Sequence, residues 1–376
     1  MRKLIYLQAI AFFLILQSCF SHEESESSNL IFKSVLDTIL SISPEDIISS
    51  YCYYTDSSSI AYYHNGLIVN KNVITKRKST TNIEKIITEN NIYISKIANR
   101  QIFNSDSTLL LLDDISGIFY LASNNPLLNS DTLIHKLTNT KFLFFNNAFQ
   151  PLLYKNGKLF LSCILKDKNL IYPDDRIAIF ESSTNVCIDF LHDTIFYYKI
   201  PFPKIYYSKA NYNFKYPFIY TDSAGNIYYS LSLCDSIITF NVADNSYRFV
   251  NIAAKQKPKH FINKPDSIFN IKYSIHSQLR DEGYGLIAFD PYRSFWYRIV
   301  TYKYNNLKRK DPNVFYKPWH LIICNQQFDK LDEINFSGEY YPNNFLITPK
   351  GLIFFRKMKI DGKSNVLLEM YQYAKK

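Results

Sequence analysis

Tyr216-Pro217-Phe218-Ile219-Tyr220 runs to a turn at Gly225-Asn226 and resumes as Ile227-Tyr228-Tyr229. Ser236-Ile237-Ile238-Thr239-Phe240 then turns at Asp244-Asn245 into Tyr247-Arg248-Phe249-Val250-Asn251-Ile252. Each run is short and rich in β-branched and aromatic residues, which suit a pleated, half-buried surface. Each is closed off by Gly, Asn or Asp, the residues that tolerate the backbone of a tight hairpin turn. The stretch 216–252 therefore predicts four strands joined by short connections.

The first hairpin of this unit recurs outward in both directions. Ile60-Ala61-Tyr62-Tyr63 turns at Asn65-Gly66 into Leu67-Ile68-Val69, and Leu109 to Leu112 turns near Gly117 into Ile118-Phe119-Tyr120-Leu121. Leu152-Leu153-Tyr154 turns at Asn156-Gly157 into Leu159-Phe160-Leu161, and Phe345-Leu346-Ile347 turns at Lys350-Gly351 into Leu352-Ile353-Phe354-Phe355. Five of the nine glycines are used in this one way. A sixth copy joins Leu286-Ile287-Ala288-Phe289 to Phe295-Trp296-Tyr297 through Asp290-Pro291-Tyr292-Arg293. Successive turns are roughly 40 to 70 residues apart, a spacing suited to propeller blades with variable loops.

The segment Tyr284 to Phe336 predicts four further strands, Gly285 to Phe289, Phe295 to Tyr302, His320 to Cys324 and Leu331 to Phe336, interrupted by a basic insertion from Lys303 to Pro318. Asn344 to Tyr373 supplies three strands. A strand from the region Leu30 to Ile48 is expected to complete that unit, because an unfinished sheet exposes an edge. The reading is an all-β, six-bladed β-propeller, with seven or eight blades left open by the variable loops. A two-sheet sandwich or a pair of smaller β-domains competes with it, but no linker-like break occurs between Tyr51 and the C-terminus.

The N-terminus carries a different message. Arg2 and Lys3 precede an apolar run from Leu4 to Leu16, the pattern of a secretion signal, and the run is shorter than the roughly 20 residues that span a bilayer. Leu16-Gln17-Ser18-Cys19 resembles the bacterial lipobox, which implies cleavage after residue 18 and lipid attachment at Cys19. Residues 19–29, from Cys19 to Asn29, are polar and acidic and cannot join a core, so they read as a tether. They are similar to the surface-export signal of Bacteroidota lipoproteins, and Phe20 is not the aspartate that retains lipoproteins at the inner membrane. The organisation expected is a signal peptide over 1–18, the lipidated cysteine and tether over 19–29, and the β-propeller over 30–376. That implies an outer-membrane lipoprotein, surface-exposed or facing the periplasm, with the membrane as its partner through the lipid.

Composition excludes several classes. The chain has 31 Tyr and 29 Phe, and a formal net charge of +10. Its basic clusters, Lys76-Arg77-Lys78, Lys255 to Lys259 and Lys308-Arg309-Lys310, are short, and no nucleic-acid module accompanies them, so nucleic acid is not an expected partner. Attraction to anionic surfaces such as lipopolysaccharide or acidic glycans fits better. With Cys19 lipidated, Cys52, Cys163, Cys187, Cys234 and Cys324 remain, an odd number mostly in strand-like runs, where a free cysteine behaves as a small apolar residue. A disulfide between Cys163 and Cys187 across neighbouring strands is one option.

The lipobox and tether, the unit from Tyr216 to Ile237 and the segment Phe289-Asp290-Pro291-Tyr292-Arg293 with Trp296-Tyr297-Arg298 together resemble the TolB-like six-bladed propeller lipoproteins of Bacteroidota. More narrowly, they are similar to a family of unknown function in that group. The resemblance implies an envelope propeller and no reaction.

Catalytic signatures are sparse. The seven histidines show no metal-ligand spacing, so no metal and no cofactor are expected. Gly283-Tyr284-Gly285-Leu286-Ile287-Ala288 matches a dinucleotide fingerprint formally, but no strand precedes it and Pro291 blocks the helix that should follow. Asp113-Asp114 and Asp174-Asp175 read as turn residues. Loops feeding the innermost strands would bring Tyr212, Lys215, Arg280, Asp281, Tyr284, Tyr341 and Asn344 to the channel mouth, where aromatic faces and hydrogen-bonding groups suit sugars or peptides. The same side chains could instead seal blade junctions. The expected function is a non-enzymatic binding or scaffold protein for a glycan, peptide or envelope protein, with a glycan-active lyase or hydrolase at the channel mouth as the alternative.

Overall fold

A computed structural model describes residues 30–40, strands at 53–54, 59–64, 67–72, 78–82, 99–102, 109–112, 119–122, 142–145, 153–155 and 158–165, and then most of 184–207, 217–259, 281–304 and 317–375. Its regular structure is almost entirely antiparallel β. Strand β1 (Leu30–Leu40) is followed by one sheet in sequence order, β2 (Tyr53–Tyr54), β3 (Ser59–His64), β4 (Leu67–Asn72) and β5 (Lys78–Asn82). Three strands, β6 (Asn99–Ile102), β7 (Leu109–Leu112) and β8 (Phe119–Ala122), form the next sheet. In the third, β9 (Phe142–Phe145) lies beside β11 (Lys158–Leu165), which continues the series β10 (Leu153–Lys155), β11, β12 (Thr184–Asp189) and β13 (Thr194–Lys199).

The fourth sheet comprises β14 (Phe218–Thr221), β15 (Ile227–Ser230), β16 (Ser236–Asn241) and β17 (Ser246–Asn251), and the fifth β18 (Gly283–Asp290), β19 (Phe295–Thr301), β20 (Trp319–Cys324) and β21 (Lys330–Phe336). Strands β22 (Tyr340–Thr348), β23 (Gly351–Ile360) and β24 (Lys363–Lys375) make the last sheet, whose fourth member is β1. Pairing runs from Leu30 opposite Lys375 to Leu40 opposite Val366. The first and last described strands of the chain are thus partners, as the unfinished C-terminal unit required.

The recurring hairpins lie where the turns placed them. Asn65-Gly66 separates the paired residues His64 and Leu67, and Asn156-Gly157 separates Lys155 and Lys158. At the last copy Thr348 pairs with Gly351, where a Cβ would stand 2.2 Å from the Tyr371 carbonyl oxygen, so only glycine lets β24 approach. The Gly283-Tyr284-Gly285 motif lies inside β18.

Leading strands of successive sheets touch: β10 with β14, β14 with β18, β18 with β22, and β22 with β2. Apolar clusters fill the spaces between neighbouring sheets. Tyr228 and Ile237 of the fourth sheet meet Trp296, Ile322 and Phe328 of the fifth, while Tyr297, Ile299, Leu321 and Trp319 of the fifth meet Leu352 and Phe354 of the last. Alternate residues of β19 and β20 thus serve opposite cores, which is why both strands read as unbroken buried runs rather than as an apolar and polar alternation. Aromatic contacts dominate, with Trp319 stacked on Phe336 at 4.2 Å between ring centres. Full burial of one such side chain contributes about 1.5–3 kcal/mol.

The outer strands differ. Tyr247, Arg248 and Phe249 on β17 and Phe196 and Tyr197 on β13 are exposed. The Cys163 to Cys187 disulfide does not form: Cys187 is a buried free thiol opposite Phe160, whereas Cys163 lies opposite Thr184, three rungs away. Burial pushes the Cys187 thiol up to about 11, so it stays protonated and packs as an apolar group.

Candidate functional site

Of the channel-mouth candidates, Tyr212, Lys215 and Arg280 lie outside the described residues, as do Cys19, the tether, Asp113-Asp114 and Asp174-Asp175. Asn344 sits on β22 at the irregularity between Tyr340 and Phe345. Asp281, Tyr284 and Tyr341 are buried. The Tyr284 hydroxyl donates to Asp235 at 2.7 Å and accepts the Ala254 N–H at 3.2 Å, and the Arg298 guanidinium stands 3.8 Å from the ring centre. Lys317, also buried, donates through Nζ to the Asp281 carbonyl, and burial lowers its ammonium to about 8. The Lys357 ammonium lies 4.5 Å from the centre of the Tyr341 ring. The side chains of Asp281, Tyr284 and Tyr341 are thus enclosed by protein, Tyr284 against the fourth sheet and Tyr341 beside Lys357.

Buried charge elsewhere is also spent on joining elements. Arg298 of β19 sends Nη1 to the Asp235 carbonyl at 2.6 Å and the Ile252 carbonyl at 3.0 Å, Nη2 to the Cys234 carbonyl at 2.7 Å, and Nε to the Ser230 hydroxyl at 3.0 Å. One side chain thereby fastens the fifth sheet to the loop between β15 and β16. Burial lowers its guanidinium to about 10, which leaves it charged at neutral pH.

A repeated aspartate at the end of a strand organises the turns. Asp290 accepts the N–H groups of Tyr292 and Arg293, then the Arg293 Nε at 2.6 Å and the Tyr297 hydroxyl at 2.8 Å, while Arg293 Nη2 continues to the Thr348 carbonyl at 2.9 Å. Asp222 does the same for the fourth sheet, taking the Asn226 N–H and side chain and the Tyr228 hydroxyl at 2.8 Å. Burial raises the Asp222 carboxyl, but these donors outweigh it and hold the group below the usual range. The sequence signal was present: Asp follows the first apolar strand of both units and a Tyr stands in the second strand.

His320 and Lys330 converge on Glu333, His320 through Nδ1 at 2.8 Å, and Glu333 also accepts the Lys255 N–H at 2.7 Å. Burial raises the Glu333 carboxyl, but the His320, Lys330 and Lys255 donors prevail and hold it at about 2. Among the described residues no group of three His, Cys, Asp or Glu side chains is placed to hold a metal ion.

A polar cavity in the described part lies on the fourth sheet. It encloses about 340 Å³ and is lined by Asn226, Thr239, Asn241, Ser246, Tyr247 and Arg248, with Tyr228 beside them. Tyr228, Thr239 and Arg248 are opposite one another across β15, β16 and β17, so their side chains share a face. The Arg248 Nε donates to the Thr239 hydroxyl at 3.2 Å, which aims the guanidinium. Tyr228 packs its ring on Trp296 at 4.4 Å and so fixes the inner wall. Sequence reasoning placed Arg248 in a strand and passed over it, because cross-strand register decides which residues join it.

No family model matches the chain, and no curated protein matches its sequence. Among solved structures, a member of the DUF4221 family from Bacteroides vulgatus superposes with a TM-score of 0.66 at 12% identity, over 93% of this chain and 100% of that one. The likeness is one of fold. Propeller-type proteins match more loosely. Virginiamycin B lyase from Staphylococcus aureus gives a TM-score of 0.36 at 10% identity, over 89% of this chain and 100% of that one. A regucalcin from Agrobacterium tumefaciens gives 0.35 at 10% identity, over 86% and 90%. The last two carry no argument about activity.

Proposed function

We propose that the chain is a lipid-anchored envelope β-propeller of six blades, held by Cys19 and its acidic tether at the outer membrane, which works by binding a glycan, peptide or envelope protein rather than by catalysis. The observation that carries this reading is the distribution of polar and aromatic side chains. Buried charges such as Arg298, Asp290 and Glu333 are saturated by contacts that join strands and sheets, whereas Phe196, Tyr197, Tyr247 and Phe249 stand exposed on outer strands. Rigid interiors with exposed aromatic edges suit recognition, since Tyr and Phe offer contact area at small entropic cost. Six antiparallel sheets, five of them in contact through their leading strands, support the blade count.

Two measurements test this. The soluble domain, residues 30–376, is applied to a glycan array and used for affinity capture from detergent-solubilised envelopes; a reproducible ligand or partner is expected, and turnover of a bound glycan without stable binding would overturn the reading. For the anchor, metabolic labelling with a palmitate analogue should mark the wild type and not Cys19→Ala, which should fractionate away from membranes. Labelling that survives the substitution would place the lipid elsewhere.

A further inference from the structure

We infer that the cavity on the fourth sheet is a binding site for a carboxylated sugar, the uronic acid unit of an acidic glycan, with Arg248 as its carboxylate receptor and the polar groups that share its sheet face as the partners of the ring hydroxyls. This rests on the binding reading above and names the ligand class within it. The volume, about 340 Å³, falls in the range of small-molecule pockets, roughly 300–1,000 Å³. Arg248 is oriented by Thr239 through Nε alone, and among the described residues no carboxylate lies within ion-pairing distance of it. The two Nη groups are left to present the planar fork that matches a carboxylate in a bidentate fashion.

The neighbouring groups complete a sugar site. Asn241 pairs with Ser246 two residues along β16 and β17 from Thr239 and Arg248, so these side chains share the face of the guanidinium. Thr239, Ser246, Asn226 and Asn241 supply hydroxyls and amides around the rim, and these match a polyhydroxylated ring better than an extended peptide. Asp222, on the same sheet face, is engaged by Asn226 and Tyr228, and Asp244 by Ser246, and neither is ion-paired with the Arg248 fork. The net charge of +10 favours the approach of a polyanion.

Calorimetric titration of the full mature chain with tetragalacturonate and with its methyl ester tests the assignment, because esterification removes the charge and keeps the rings. The acid should bind about tenfold or more tightly than the ester, the size expected for a charge-assisted bidentate contact. Arg248→Gln should abolish that preference, Arg248→Lys should restore part of it, and Asn241→Ala should weaken acid and ester alike. Tyr292→Ala, an exposed residue on the turn of another sheet, should change nothing. Unchanged melting temperatures would show that the variants fold.

Equal binding of acid and ester, no binding of the acid, or indifference to Arg248→Gln would overturn the site. So would tetraglutamate binding as tightly as the sugar acid, which would make this a receptor for acidic peptides. If the array of the preceding section shows a ligand that Arg248→Gln still binds, this site fails and the binding function stands. If array and capture both return nothing, the binding function itself fails.

Discussion

Arg298 illustrates what single residues do in this molecule. Its guanidinium is buried with no ion-paired carboxylate among the described residues, and its donors end on the carbonyls of Cys234, Asp235 and Ile252 and on Ser230. Replacing it strands several buried acceptors at once, and a methionine of similar length cannot answer them. Arg298→Met should therefore lower unfolding stability by about 3–5 kcal/mol, read from the urea midpoint at constant slope. Glu333 carries a pH signature. Its carboxyl is held at about 2 against an ordinary 4.5, so the folded state binds fewer protons than the unfolded one between those values. Its contribution is fully present above pH 4.5 and is lost as pH falls toward 2. The urea midpoint should decline across that window, and Glu333→Gln should flatten the decline and lower the plateau above it.

At the scale of elements, the hairpins were legible because their determinants are local. Asn65-Gly66 and Asn156-Gly157 read in sequence as two-residue turns, which fix strand register, and the flanking residues His64 and Leu67, and Lys155 and Lys158, are paired accordingly. The interlocking charges were not legible for the opposite reason. Ser230 and Arg298 stand 68 positions apart in sequence, and only the packing of one sheet on the next brings them together. The cavity was hidden for a similar cause, since Tyr228, Thr239 and Arg248 become a row only after three strands are registered. Of the channel-mouth candidates, Tyr284 and Tyr341 combine aromatic rings with polar neighbours, yet burial gives them contacts with protein rather than solvent. Gly351 offers a sharp test of element packing. A methyl group there would meet the Tyr371 carbonyl, and the backbone conformation is one that L side chains rarely adopt. Gly351→Ala should cost more than about 2 kcal/mol. Gly225→Ala, with nothing within 4 Å of the added carbon, should cost only its backbone strain, about 1–2 kcal/mol.

The whole molecule depends on the pairing of β1 with β24. Residues from Leu30 to Leu40 face Lys375 to Val366, so the two ends of the described chain are bound edge to edge. Deleting residues 30–40 should leave β24 with an open edge, and size-exclusion chromatography should then show dimers or aggregates alongside a lowered urea midpoint. A variant that stayed monomeric and equally stable would show the first strand to be dispensable. The same pairing also sets an order of events in time. A chain that emerges from its amino end must carry its first strand unmatched until its last strand has appeared. The contact that finishes the fold is then the one of greatest sequence separation, and such contacts form slowly. Any stall in synthesis or export near the carboxyl end would leave two complementary edges on separate or unfinished chains, the situation in which one copy can be closed by the strand of another.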